Sequence, residues 1–470
     1  MLFSSLTFIF IFLPVVILLY YIVKPAYRNA VLLFASLLFY SWGEPIYVSL
    51  MLISIIFNYF FGLYLKKFAN QRTTKLVLIL CIIFNLSFLG FYKYINFVLV
   101  NYNLIMGFFE IPAVKLLNLT LPIGISFYTF QAMSYVIDVY RGETRVNKSI
   151  LNIGLYITFF PQLIAGPIVR YHDIATQIDS RPGFNNEKFK SGIRRFIIGL
   201  SKKVLIANTM AEVADGVFSS SPDWISSGAA WIGIIAYTLQ IYYDFSGYSC
   251  MAIGLARMFG FELLENFNYP YISSSIKEFW RRWHISLSSW FRDYLYIPLG
   301  GNRSGIFRKY MNQITVFILC GFWHGASWTF LFWGIYHGLF LTFENISFIK
   351  KVKSKIPSFV NHFYALLVIM IGWVFFRSDN FTYSSKYLFK MFSFSGISIP
   401  PDMDLSVKTW VICFLAIIGA TPFLSFIHSK LRINKSLLSL SIDLILILFF
   451  ILDVMMLSSS AYNPFIYFRF

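Results

Sequence analysis

The chain has 470 residues, of which 58% are hydrophobic, 20% aromatic and only 13% charged, and its mean hydropathy is +0.67. Soluble domains carry about a quarter charged residues, and surface-to-volume scaling does not let water-soluble cores hide this much apolar surface. The net charge of +18 therefore reads as basic loops on a bilayer-embedded protein, with no nucleic-acid partner, because Lys and Arg in short loops mark the cytoplasmic face.

Runs of about 20 apolar residues span a hydrocarbon core of about 30 Å. Such runs recur at 6–23, 30–41, 46–65, 76–91, 121–140, 229–256, 312–344, 359–376, 407–427 and 436–458. The first, Leu6 to Val23, lacks a basic leader and a small-residue cleavage site, so it is expected to be a retained span. Basic clusters at Lys66, Lys67, Arg72 and Lys75, at Lys350, Lys351, Lys353 and Lys355, and at Lys430, Arg432 and Lys435 sit between runs. Most of that charge is a solvated, lipid-facing surface, and part of it suits an anionic cytoplasmic ligand. Cys81, Cys250, Cys320 and Cys413 lie in apolar runs without paired spacing, so neither a disulfide framework nor a metal site is expected. No Walker-type loop, zinc spacing or Gly-x-Ser-x-Gly elbow occurs.

Two segments depart from simple crossing. Leu151 to Val169 is apolar, yet Arg141, Arg145 and Lys148 precede it and Arg170 follows it. With Pro161, Gly166 and Pro167 in PQLIAGP, it reads as a broken or re-entrant helix, which bilayers tolerate only beside protein or a water-filled cavity. The second, Arg257 to Tyr310, combines basic residues, Lys277 among them, with many aromatics. In EFWRRWHISLSSWFRDYLYIPLGG, Trp280, Trp283, Leu287, Trp290, Phe291, Tyr294 and Leu295 share one helical face. Arg281, Arg282, Ser286, Arg292 and Asp293 fall largely off it. The pattern predicts one amphipathic interfacial helix with a basic outer face, ended by Pro298 and the Gly300-Gly301-Asn302 turn. His284 lies on the apolar stripe, and spacing alone leaves it between a packing role and a catalytic one.

His324 stands in FILCGFWHGASWTFLFWGIYHG, inside an almost uncharged stretch. An ionisable side chain at membrane depth is costly, and marks a functional site by default. Gly325, Ala326 and Ser327 beside it let backbone or substrate approach closely. His337, nearer the end of the run, reads as a structural histidine close to the interface. Asp244 sits with Gln240, Ser246, Tyr248 and Ser249 in LQIYYDFSGYSC; it orients a histidine, binds a donor, or accepts a helix-packing hydrogen bond. Asp138 has Arg141 as a local ion-pair partner, and Asp443 and Asp453 receive no role. A buried neutral histidine suits one task well: taking a proton from an alcohol that attacks an activated acyl group, then returning it to the leaving group. No serine or cysteine nucleophile with an adjacent base is visible, so direct transfer is the simpler route, with an acyl-enzyme left open.

The segments LPIGISFYTFQAMSYVIDVYRGE, FPQLIAGPIVRY, YYDFSGYSCMAIGLARMFGFELLENFNYPYISSSIKEFWRRWHISLSSWFRDYLYIPLGGNR and GFWHGASWTFLFWGIYHG resemble membrane-bound O-acyltransferases. The bacterial alginate O-acetyltransferase branch is the nearest in pattern, with peptidoglycan O-acetylation and teichoic-acid D-alanylation proteins as cousins. The likeness runs over nearly the whole chain, read as a single domain 1–470 with its motif core at roughly 119–345.

The resemblance implies an all-α polytopic membrane fold: roughly ten to twelve transmembrane helices ringing a thin core with a central tunnel, plus re-entrant and amphipathic interfacial helices. It places the family's catalytic histidine on His324 and its second motif histidine on His284. On the donor side it points to Asn266 and Asn268 of the ENFN stretch. Arg281, Arg282 and Arg303 suit phosphates, with Asp244 and Ser327 as further binding candidates and no metal.

The donor implied is a cytoplasmic acyl thioester, acetyl-CoA in this branch, with no bound cofactor. The acceptor is an extracytoplasmic glycan, reached directly or through an extracytoplasmic SGNH-type acetyltransferase partner. The location implied is the bacterial cytoplasmic (inner) membrane, crossed many times. The competing function is a transporter or flippase for polysaccharide or lipid-linked intermediates, which would be expected to show paired broken helices in two halves; only one broken segment is visible. The acceptor polysaccharide itself is not encoded in any of these motifs.

Overall fold

Apolar runs in lipid fold as helices because a helix satisfies every backbone N–H and C=O within its own segment. A computed structural model of the protein describes residues 1–67, 71–180, 183–303, 305–396, 405–423, 426, 430, 435–459 and 462–466. Arg432 of the last basic cluster lies outside them. Every regular element among the described residues is helical.

In chain order the helices are α1 (Leu13–Ile22), α2 (Arg28–Ser41), α3 (Val48–Lys67), α4 (Gln71–Leu89), α5 (Ile95–Gly107), α6 (Ile125–Arg141), α7 (Ile150–Thr158), α8 (Phe160–Leu163), α9 (Tyr171–Asp179), α10 (Asn186–Ser201), α11 (Asn208–Phe218) and α12 (Ser227–Met258). They continue with α13 (Ile276–Arg282), α14 (Ile285–Phe291), α15 (Ile306–His324), α16 (Trp328–Asn345), α17 (Ser347–Lys355), α18 (Ser358–Arg377), α19 (Phe381–Phe392), α20 (Val407–Gly419) and α21 (Lys435–Ser459).

Among the described residues, four stretches are long and apolar enough to cross a bilayer: Val48–Lys66, Arg72–Gly107, Ser358–Arg377 and Leu437–Ser459. The chain forms two compact units, residues 1–193 with 252–264 and residues 194–251 with 265–470.

In the first unit, α6 packs against α3 and α4, and α7 against α2. α6 is buried on all sides from Ile125 to Asp138. Asn58 on α3 and Asn85 on α4 exchange side-chain amide hydrogen bonds of 2.9 and 3.0 Å, the polar cross-link expected where lipid offers no competing partner. The predicted break in 151–169 is present. The chain leaves helical geometry at Phe159 (φ −46°, ψ 107°), and Gln162 Nε2 donates to Tyr156 O at 2.6 Å, meeting a carbonyl that the break releases. Gly166 is held to a hydrogen: a Cβ there would stand 2.5 Å from Gln162 Cα.

Arg141 faces Glu143 at 3.7 Å, and Asp138 has a more distant partner in the chain, His172. Fully buried, Asp138 accepts from the His172 backbone N–H at 3.1 Å and from His172 Nδ1 at 3.0 Å. Hydrogen bonds to Asp138 and then Asp173 raise the His172 imidazole to about 10. A raised pKa stabilises the fold fully below the unfolded value of about 6.5, and that contribution is lost as pH climbs through about 10. Melting of the purified protein is therefore expected to fall between about pH 6.5 and 10, with a shallower fall in His172→Gln; equal slopes would remove this role.

In the second unit, α15 and α16 form a tight hairpin, α16 packs on α18, and α13 sits against both α16 and α18. The run 312–344, which reads as one apolar stretch, is therefore two helices that meet just after His324. Gly325 leaves the helix in extended geometry and Ser327 Oγ caps α16 by accepting the Phe330 N–H at 3.4 Å. The close approach depends on small residues. A Cβ on Gly321 would lie 2.3 Å from Phe330 O, and one on Gly334 would lie 2.3 Å from Phe317 O.

Asp244 neither faces a histidine nor stands open to a donor. It forms a buried ion pair with Lys203 at 2.7 Å and accepts the Ile466 N–H at 2.8 Å. Lys203 also donates to Pro464 O. Asp443 and Asp453 acquire partners on α10: Arg194 chelates Asp443 at 2.7 and 2.8 Å, and Ser201 Oγ donates to Asp453 at 2.7 Å. These bonds fasten α21 and the tail after it to α10 and α12. All four cysteines are free thiols, Cys81 and Cys250 buried, Cys320 and Cys413 partly so.

Candidate functional site

The block 276–296 is not one helix. Its apolar stripe is buried as the periodicity requires, with Trp283, Leu287, Trp290, Phe291 and Tyr294 all under 9% exposed. The backbone nevertheless breaks at Trp283–His284, where His284 adopts the left-handed region (φ 44°, ψ 55°). The cause is the ENFN stretch alongside. Ile285 N–H donates to Asn266 O at 2.9 Å, and Asn268 N–H donates to Arg282 O at 2.9 Å, so backbone groups that would continue the helix are taken by a neighbouring strand-like segment. Ser286, expected on the polar face, is buried for the same reason, bonded to Asn266. A non-glycine residue in this region costs about 1–3 kcal/mol and persists where the surroundings over-determine it.

The break lets His284 face a cavity of about 210 Å³ whose wall also contains His324. From α13 and α14 it takes Lys277, Trp280, Arg281, Leu287 and Ser288; from α15 it takes Val316, Phe317, Cys320 and His324. The two histidines, forty residues apart in the chain, are thus walls of a single apolar chamber. His324 is 6% exposed. Its ring packs edge-on against Trp323 (4.9 Å between centroids), Phe376 (5.2 Å) and Trp333 (5.4 Å), an aromatic cage that restricts its rotamers. His284 is packed against Phe245 and Phe267, and burial pushes its imidazole down to about 3, so it is neutral at physiological pH.

The cationic candidates separate. Arg281 lines the cavity together with Lys277, one helical turn away. Burial, then the like charges of Arg281, Lys350 and Lys309, lower the Lys277 ammonium against the opposing pull of Glu344. Arg282 is held by Glu278 and the Asn268 carbonyl. Arg303 and Asn268 are exposed and outside the cavity wall, and Ser327 is spent as a helix cap, with Thr329 Oγ1 2.9 Å away. Asn266 is buried behind His284 rather than in the wall. The cavity residues that the sequence reading did not assign to the site include Lys277, Trp280, Phe317 and Cys320. Spacing carried a signal for two of them: Lys277 stands four residues before Arg281, and Cys320 four before His324.

His337 is packed among aromatic rings. It is fully buried, its ring 5.0 Å from Trp280 and 5.1 Å from Trp333, and neither nitrogen has a hydrogen-bond partner among the described residues.

Two buried imidazoles in an apolar chamber with a cationic end supply a proton acceptor and an anion-binding mouth. Residues 141–378 match MBOAT, the membrane-bound O-acyltransferase family, a span that contains every cavity residue. A probable alginate O-acetylase of Azotobacter vinelandii is 39% identical, with 100% of each chain covered. A peptidoglycan O-acetyltransferase of Helicobacter pylori is 38% identical over 85% of this chain and 81% of its own. A teichoic acid D-alanyltransferase of Bacillus subtilis is 28% identical over 57% of this chain and 70% of its own. With its helical membrane fold and its paired histidines, the chain belongs to the membrane-bound O-acyltransferase family and is an acyltransferase.

Proposed function

We propose that the chain takes an acetyl group from acetyl-CoA at the cytoplasmic face of the bacterial inner membrane and commits it to O-acetylation of an extracytoplasmic polysaccharide. Delivery is direct or through an extracytoplasmic SGNH-type transferase. The observation that carries this reading is the shared cavity, with His284 and His324 in its wall and Lys277 and Arg281 in the same lining. The apolar walls suit the thioester and its arm, and the cations suit the phosphates, which bind Lys and Arg through charge-assisted hydrogen bonds. Relatives named for alginate and peptidoglycan O-acetylation support acetyl as the group and a glycan as the acceptor.

In the transfer, the acceptor oxygen attacks the thioester carbonyl carbon; the C–O bond forms and the C–S bond breaks. His324 takes the hydroxyl proton and returns it to the departing thiolate, so the products are an ester and a free thiol with no change of oxidation state. Membranes bearing the chain should move label from acetyl-CoA into polymer. In the charge-reversed pair Lys277→Glu with Arg281→Glu, the KM for acetyl-CoA is expected to rise by about tenfold or more for each cation–phosphate hydrogen bond removed, and more steeply at low salt. An unchanged KM would remove the donor assignment. Released acyl groups other than acetate would remove acetyl.

A further inference from the structure

The hydrogen bonds around His284 decide which ring nitrogen carries its proton. Asn266 Oδ1 lies 3.1 Å from the Ser286 backbone nitrogen and 2.9 Å from Ser286 Oγ. A backbone N–H can only donate, so the atom it meets is the amide oxygen, which settles the orientation of the Asn266 side chain. That same oxygen lies 3.2 Å from His284 Nδ1. An amide oxygen has no proton to give, so Nδ1 is the N–H, and in the neutral ring the lone pair sits on Nε2. Nε2 is buried without a hydrogen-bond partner among the described residues, and its ring belongs to the cavity wall.

The surroundings over-determine this arrangement. Asn266, His284 and Ser286 are 2%, 3% and 1% exposed, and the main chain of 266–268 is bonded to that of 282–285. The strained left-handed backbone at His284 is what turns its ring between Asn266 and the cavity. α12 and the 266–268 segment present Phe245 and Phe267 to the ring, and α15 presents Trp323. The titratable groups in the shared wall are His324, Cys320, Lys277 and Arg281.

We propose that Asn266 is a positioning residue that holds His284 in its Nδ1–H form, so that Nε2 accepts a hydrogen bond from an N–H or O–H group of the ligand in the cavity. The proposal rests on the acyl-transfer reading above. Two groups have this chemistry, the amide N–H of the thioester donor's arm and the acceptor hydroxyl. In this form Nε2 cannot donate to a developing oxyanion, so His284 does not fill that role.

The direct test is NMR of isotope-labelled histidine rings in the full chain in lipid nanodiscs, with the His284 signal assigned by its loss in His284→Gln. The expected result is a proton on Nδ1 in the parent protein. In Asn266→Ala it moves wholly or partly to Nε2, and transfer from labelled acetyl-CoA falls about tenfold or more. Asn266→Asp keeps the Nδ1 proton but places a carboxylate beside it, which raises the imidazole pKa; activity should then be lost on the acid side of the pH profile, a change that a packing role would not produce. A higher KM for acetyl-CoA at unchanged kcat identifies the donor amide as the bound group, and a lower kcat at unchanged KM identifies the acceptor hydroxyl.

A parent protein with its proton on Nε2 overturns the proposal, as does an Asn266→Ala protein that keeps both tautomer and rate. A parent with the expected tautomer that transfers no label from acetyl-CoA faults the acyl-transfer reading and leaves the tautomer assignment standing.

Discussion

Replacing His324 by alanine is expected to lower cell-surface O-acetylation by about a hundredfold to ten-thousandfold, the range spanned by a positioned general base. The expectation comes from where the ring sits. It ends α15 at a turn built from Gly325, Ala326 and Ser327 and lines the cavity, with Trp323, Trp333 and Phe376 packed around it. His324→Gln keeps much of the volume and some hydrogen bonding but has no basic nitrogen, and should be equally inactive. Acetate released by mild base from polymer, compared with parent cells at matched amounts of membrane-inserted protein, reads the effect. Wild-type acetate in His324→Ala cells would leave the proposed chemistry without its base.

The second large effect concerns stability. Lys203→Met is expected to cost about 3–5 kcal/mol, because it strands the Asp244 carboxylate in a buried site. Both side chains of the pair are at most 3% exposed, and the same two residues hold the tail through Pro464 O and Ile466 N–H. The change should appear as a melting midpoint many degrees lower in detergent and a smaller monodisperse fraction. Replacing both partners, Lys203→Met with Asp244→Leu, should recover much of the loss, since an apolar pair of similar volume removes the stranded charge. A single variant as stable as the parent would show that the pair adds nothing.

The positions of most helices, and the unusual place of His324 in an apolar run, were legible in the sequence because both follow from one-dimensional rules. Apolar runs in lipid become helices, and an ionisable residue inside such a run is rare enough to stand out. The stripe Trp283, Leu287, Trp290, Phe291 and Tyr294 was legible too, since burial follows spacing whether or not a helix is continuous. The break at His284 was not. It depends on hydrogen bonds that Asn266, eighteen residues earlier, accepts, and no local propensity encodes a partner that distant. Asp138 shows the same limit: Arg141 is its neighbour in sequence, but its 3.0 Å contact with His172 exists only because the chain turns back on α6.

By itself, then, the sequence determined a membrane-embedded helical chain with a histidine inside an apolar run and a segment rich in both basic and aromatic residues. It also carried motifs specific enough to mark the family. Only the tertiary structure decided which polar groups meet. It divided the run 312–344 into a hairpin, spent Asp244 on Lys203, gave Asp443 and Asp453 to α10, and brought His284 and His324 into one cavity. The physical reason is that burial and periodicity are properties of a segment, whereas a hydrogen bond or ion pair needs two segments within about 3 Å of each other, a condition that only the folded chain sets.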